Sequence, residues 1–160
     1  MSVKVRRYRK VSLGGTFDKL HDGHKRLIQQ ALDIGETVLI GVTTSNMVGK
    51  KPKTHEIDSY QERVMEIEGF LKERKAMERV VITPLDDPYG PALTDEEVEV
   101  LVVSRETAFR AREINRLRRR RGIKPSKIRV IEIVLAEDGV PISTTRIRRG
   151  EINREGRLLI

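Results

Sequence analysis

The chain has no cysteine and no tryptophan among its 160 residues, and aromatic side chains make up only 4% of it. The missing thiols exclude disulfides and thiolate metal sites and accord with a reducing compartment. The few aromatics, three Phe and three Tyr scattered along the sequence, leave little to stack nucleic-acid bases on. No apolar run approaches the roughly 20 residues that a bilayer span needs, and the opening MSVKVRRYRK has no apolar segment of the secretory kind. The expectation is a cytoplasmic protein with no membrane attachment. Asn and Gln are also scarce, while Arg, Lys and Glu are plentiful, a balance seen in heat-adapted proteins.

What the chain has is charge: 35% of its residues are charged and the net charge is +8. Such an excess suits an anionic partner, either a nucleic acid or a phosphorylated small molecule. A domain of this length buries about 70% of the surface its unfolded chain exposes, so it needs no staples. Apolar runs alternate with longer amphipathic segments to about residue 135, without repeats or a long linker, which predicts one α/β domain.

Strands are predicted at about residues 9–13, 37–42, 79–85, 98–104 and 128–136, with helices at about 23–34, 60–77 and up to 121, and a short helix after 142. Ser59 and Glu62 form a candidate capping box, Gly35 is read as the stop of the first helix, and residues 43–57 as a mobile loop. TVLIGV, residues 37–42, has the unbroken apolar character of a strand covered on both faces of a parallel sheet. The predicted fold is a single Rossmann-like domain with a five-stranded parallel sheet and helices on both faces, and ligands in such sheets bind beyond the carboxyl ends of the strands.

Four segments fall at those ends: GGTFDKLHDGH, TTSNMVGKKPK, SRETAFRAREIN and EDGVPISTTR. In the first, Gly14 and Gly15 allow close approach of a ligand to the main chain, and Thr16 adds an N–H and a hydroxyl. Asp22 is the expected helix cap, and free N–H groups at that helix start attract phosphate. His21 and His24 border that site; capping histidines and a zinc pair are the competing readings, although no third ligand with metalloprotease spacing accompanies them. Lys50, Lys51 and Lys53 fit either a phosphate-binding or a solvated basic loop. Ser143, Thr144 and Thr145, followed by Arg146 and Arg148, fit either an anion site or an ordinary N-cap. Residues 118–121, four consecutive arginines, read as a solvated helix end stabilised by the helix dipole, with RNA binding as the rival.

GGTFDKLHDGH and ISTTRIRRGEI together resemble the H-x-G-H and ISTT signatures of the nucleotidyltransferase superfamily, and the segments from 101 to 115 and 136 to 152 are similar to archaeal-type phosphopantetheine adenylyltransferases. The resemblance covers nearly the whole chain and implies one nucleotidyltransferase domain over residues 1–160. It implies ATP and phosphopantetheine as substrates, Mg2+ with the ATP, coenzyme A as a possible feedback ligand, and no metal held by side chains of the chain itself. It further implies Gly15, Thr16, Phe17, His24, Ser143, Thr144, Thr145 and Arg146 as nucleotide-binding residues, His24, His21 and Lys50 as catalytic, and Thr16, Lys50, Lys53 and Arg105 as acceptor-binding. Arg105 is taken because Ser104 stands where bacterial members carry their substrate arginine. A monomer is expected. The alternatives are an FAD synthetase, a glycerol-phosphate-type cytidylyltransferase or an RNA-binding protein.

Overall fold

Parallel strands cannot be joined by tight hairpins, so a chain that alternates β-branched runs with amphipathic stretches must cross over through its helices. The computed structural model, which describes residues 6–49 and 56–159, does so throughout. In chain order the elements are β1 (Tyr8–Gly15), α1 (Asp22–Ile34), β2 (Gly35–Thr43), α2 (Ser45–Gly49), α3 (Tyr60–Glu73), β3 (Val80–Leu85), α4 (Pro91–Thr94), β4 (Val100–Ser104), α5 (Ala108–Arg120), β5 (Lys127–Ile131) and α6 (Thr144–Arg148). The five strands are parallel in the order β3-β2-β1-β4-β5. Chain direction across the sheet reverses between β1 and β4, and that switch point is where a ligand crevice opens.

The period of two along the strands sends alternate side chains to opposite faces. Val38, Ile40 and Val42 of β2 join Ile28, Leu32 and Ile67 in one buried cluster, while Leu39 joins Leu101, Ala111 and Ile114 in the other. The first cluster is covered by α1 and α3, the second by α4 and α5. Each fully buried Leu, Ile or Val contributes roughly 1.5–3 kcal/mol, and both faces are closed this way. Among the described residues no helix is long and apolar enough to cross a membrane.

Four local expectations are corrected. The cap of α1 is His21, not Asp22, which is the first helical residue. The loop after β2 contains a short helix, α2, and its residues 50–55, with Lys50, Lys51 and Lys53, lie outside the described residues. The fifth strand ends at Ile131 rather than near 136: its partner β4 ends at Ser104, directly opposite, and among the described residues no other strand lies on that edge. Arg118 is not on a solvated helix end. Its guanidinium is 1% exposed and donates to the carbonyls of Ala92, Asp95 and Lys124, pinning α4 to α5; only Arg119, Arg120 and Arg121 of that run are exposed.

Gly35 does end α1, its N–H donating to the Ala31 carbonyl, but it also begins β2 with ordinary extended angles. What requires glycine there is space: a Cβ would lie 2.6 Å from Val11 Cγ2 on the adjoining strand. Gly35→Ala is expected to cost about 1–3 kcal/mol by overpacking, read as a lower urea midpoint. Val11→Ala combined with it should cost less than the sum of the two single changes, because the colliding methyls are gone.

Candidate active site

The loop between β1 and α1 carries two deviations from ordinary backbone, one on each side of Asp18: Phe17 and Lys19 have φ of +54° and +51°. For residues with a Cβ this costs roughly 1–2 kcal/mol each, so something must hold the loop. Three buried contacts do. Arg63, 1% exposed on the inner face of α3, donates from Nη1 to the Thr16 carbonyl at 2.9 Å and the Thr43 carbonyl at 2.7 Å, and from Nε to the Asp58 carbonyl at 2.9 Å. Arg148 of α6 grips the buried Asp18 carboxylate with two hydrogen bonds of 2.9 and 3.1 Å and also reaches Asp58 at 2.9 Å. The Thr144 hydroxyl donates to the Asp18 carbonyl at 2.9 Å. Residues 126 and 130 positions apart in sequence are thereby locked together, and Asp18 is a structural anchor.

The same contacts orient Thr16. The Thr43 hydroxyl receives a long hydrogen bond from Arg63 Nη1 at 3.4 Å and donates to Thr16 Oγ1 at 3.1 Å. The chain of donors runs outward, so the Thr16 hydroxyl proton faces whatever occupies the crevice.

At the start of α1 two histidines form a reciprocal cap. His21 Nδ1 accepts from the Gly23 N–H at 3.1 Å, and His24 Nδ1 accepts from the His21 N–H at 3.2 Å. The Asp22 N–H is taken by the Arg154 carbonyl and the Lys25 N–H by the His21 carbonyl, both at 3.0 Å. The helix start is therefore satisfied from within the protein, which corrects the expectation of open N–H groups there. The two rings stack with centroids 3.7 Å apart, and Phe17 leans on His24 at 5.4 Å. Because each Nδ1 accepts, each ring carries its proton on Nε2 and is neutral. Burial pushes the His21 pKa down to about 4, helped by the Arg154 charge. Burial also pushes His24 to about 3, with His21 adding to the effect and Asp18 opposing it.

Two clefts open above this edge of the sheet. One, about 430 Å³, is lined by Gly15, Thr16 and Phe17, by His21 and His24, and by Ser143 and Thr144 across from them. The other, about 310 Å³, runs between the sheet and α5 and is walled by apolar side chains such as Leu39, Met47, Leu85 and Phe109. They share Gly14 and Gly15 as a floor and Glu106 and Thr107 as a rim.

Seven of the sequence-predicted residues thus converge. Thr145 and Arg146 line neither cleft: Arg146 is clamped to Asp138 and Glu151. Arg105 is exposed and also lines neither, and Lys50 and Lys53 lie outside the described residues. No lysine or arginine lines the larger cleft among the described residues; its described lining offers imidazole, hydroxyl and backbone donors together with the carboxylates of Asp18, Glu106 and Glu132. Among the described residues no group of three or more His, Asp or Glu side chains gathers to hold a metal, and the Nδ1 lone pairs of both histidines are engaged by backbone N–H groups. Sequence reasoning missed Arg63 and Arg110, the latter a wall of the smaller cleft. Arg63 had a signal: it lies four residues before Ile67 on the inward stripe of α3, a cation where the helical period places core.

A sequence model of the family described as Cytidylyltransferase-like matches residues 12–150. A phosphopantetheine adenylyltransferase from Methanothermobacter thermautotrophicus is 47% identical over 96% of this chain and 92% of its own. Another from Methanopyrus kandleri is 48% identical over 92% of each chain. A crystal structure of a protein of unknown function from Archaeoglobus fulgidus superposes with a TM-score of 0.67 at 32% identity, covering 76% of this chain and 97% of that one. With the histidine-capped loop, the parallel sheet and the late hydroxyl turn in place, the chain belongs to the cytidylyltransferase-like nucleotidyltransferases, in their archaeal phosphopantetheine adenylyltransferase branch.

Proposed function

We propose that the protein transfers the adenylyl group of ATP to the phosphate of phosphopantetheine, giving dephospho-coenzyme A and pyrophosphate, with residues 1–160 acting as one catalytic domain in the cytoplasm. The observation that carries this reading is the pair of clefts meeting on the Gly14–Gly15 floor. One offers convergent hydrogen-bond donors for a triphosphate, and the other offers an apolar trough for a long uncharged arm.

The reaction needs no activated side chain. An ionised phosphate oxygen of the acceptor attacks the α-phosphorus of ATP in line. The new P–O bond forms as the bond to the β-phosphate oxygen breaks, and its electron pair departs with pyrophosphate. The obstacle is two anions: unit charges 4 Å apart repel by roughly 1 kcal/mol in water and about 4 kcal/mol at an effective dielectric of 20. The protein answers with position and fixed dipoles. His24 donates through Nε2–H to the α- or β-phosphate, and His21 backs it in the same stack. The Thr16 hydroxyl, oriented by Thr43 and Arg63, meets the acceptor phosphate beside Gly15 and Phe17. Ser143, whose Oγ caps α6 by accepting from the Arg146 N–H at 3.2 Å, and Thr144 face the β- and γ-phosphates; Thr145 and Arg146 hold the turn that presents them. Lys50 and Lys53 are the candidates for a lysine charge on the phosphates. A divalent cation such as Mg2+ brought in with ATP would supply neutralisation of the triphosphate charge. Coenzyme A carries the same arm and would compete for the apolar cleft.

Purified protein should release pyrophosphate from ATP with phosphopantetheine, and not from CTP or with FMN or glycerol phosphate as acceptor. Turnover of FMN or glycerol phosphate without turnover of phosphopantetheine overturns the assignment. His24→Ala is expected to lower kcat/KM at least about a hundredfold, the usual cost of a lost transition-state donor, with circular dichroism unchanged. Wild-type activity in that variant removes the role given to His24.

The histidine cap also predicts a pH dependence of stability. Both folded-state pKa values, about 4 and about 3, lie below the unfolded value of 6.5, so the unfolded chain takes up protons first as pH falls. The stabilisation is complete above about pH 6.5 and is lost progressively toward pH 4 and 3. The urea midpoint should drop over that window, and less so in His21→Asn, which keeps a good N-cap without a titrating ring.

A further inference from the structure

The apolar cleft contains one cation. Among its described lining residues only Glu106 and Arg110 are charged, and Arg110 does not line the larger cleft. Arg110 stands in the first turn of α5 with its guanidinium carbon 4.9 Å from the Phe109 ring centroid and 6.0 Å from that of Tyr89. Its Nη1 is 3.1 Å from Glu113 Oε1, and the Tyr89 phenol hydrogen-bonds the same carboxylate. A guanidinium has five N–H donors in a rigid fork, and one carboxylate and one phenol cannot take them all. The side chain is 30% exposed, held in place yet open to the cleft. Arg105, by contrast, is exposed and lines neither cleft.

We propose that Arg110 is the residue that selects the acceptor by its arm, donating to an amide carbonyl of the pantetheine chain lying in the apolar cleft. The inference rests on phosphopantetheine being the acceptor. An amide carbonyl that enters an apolar trough without a partner loses its water with no return. The lining also carries the hydroxyls of Ser12, Thr43, Thr83, Tyr89 and Thr107, but only Arg110 offers a charged, forked donor, and a few oriented polar groups in a largely apolar trough fix the register of a flexible ligand. The reacting phosphate lies on the other side of the Gly14–Gly15 floor, with Thr16 and His24, and those two residues do not line the cleft that Arg110 walls. Arg110 therefore reads the arm, and the loop reads the phosphate. Phosphomonoesters lacking the arm gain nothing from it.

The test pairs steady-state kinetics with calorimetric binding of pantetheine, which has the arm and no phosphate. Wild-type protein is run first with ATP and phosphopantetheine; absence of turnover there overturns the acceptor assignment and this inference with it. Given wild-type turnover, Arg110→Met should raise the KM for phosphopantetheine about tenfold or more, leave the KM for ATP within about twofold, change kcat little, and weaken pantetheine binding by a similar factor. Arg110→Lys, which keeps stem and charge but not the fork, should fall between. Glu113→Gln, which loosens the guanidinium without removing it, should raise the acceptor KM by a smaller factor. An unchanged acceptor KM in Arg110→Met overturns the proposal, and so does a raised KM with unchanged pantetheine binding, which would mean that Arg110 touches the phosphate. Melting temperature is followed in each variant, and a rise in the KM for ATP matching that for the acceptor marks a merely structural effect and counts against it.

Discussion

Everything at this site depends on two imidazoles accepting hydrogen bonds from the backbone at the start of α1. A helix begins with N–H groups that must find partners, and here His21 and His24 supply two of them through Nδ1. That choice fixes the tautomer: the ring that accepts at Nδ1 donates at Nε2. It also fixes the charge state, since a proton on Nδ1 would meet an N–H in place of a lone pair. The positive end of the helix is thus not offered directly to the ligand. It is passed through the rings, with each N–H polarising an imidazole whose far side presents a donor.

A capped helix start is useful only if the loop leading to it is held, and the loop is unfavourable in itself, with Phe17 and Lys19 both left-handed. The retaining groups come from elsewhere in the chain. Arg63 ties the ends of β1 and β2 to residue 58, and Arg148 brings α6 against Asp18. One of these cations is buried and the other half-buried, and such pairs are poor evidence of stability in general, because desolvation offsets much of their attraction. Arg63 feels this, its pKa lowered by burial. Their value is geometric: removing either end would leave carbonyls or a carboxylate without partners beneath the reacting edge.

The sequence made the strands and the main helices legible because their periodicity is local. β2 read as a doubly covered strand and is one, and α1 shows the apolar stripe of Ile28, Ala31 and Leu32 expected of it. The limits of legibility are equally specific. IRVIEIVLA has strand character along its length, yet pairing stops where β4 stops, and no local pattern contains the length of a neighbour. Arg118 read as a solvated charge and Arg63 went unread because composition does not say which carbonyls a fold will aim at them; only the place of Arg63 on the inward stripe of α3 hinted at burial. The first and last motifs were visible as words, and their residues do meet, but Arg146 turned inward to Asp138 and Glu151. The apolar cleft left no signature, being assembled from residues between 12 and 114 on seven elements and their loops.

The charge economy of the crevice follows from these placements. The chain carries an excess of +8, yet among the described residues none of its lysines or arginines lines the histidine cleft. Arg146, Arg148 and Arg154 each lie against a carboxylate, and Arg112, Arg116, Arg119 and Arg120 face outward from α5. A triphosphate that arrives with its own divalent cation needs little further neutralisation in the ground state. Permanent charges packed around it would stabilise substrate and transition state alike, which lowers KM without raising kcat. Neutral donors held at fixed positions act in proportion to the charge that develops on the oxygens they face, and that charge grows as the α–β bond breaks. On the proposed reading, a cleft whose described donors are imidazole, hydroxyl and backbone groups, braced from behind by Arg63 and Arg148, favours the departing pyrophosphate over the bound triphosphate.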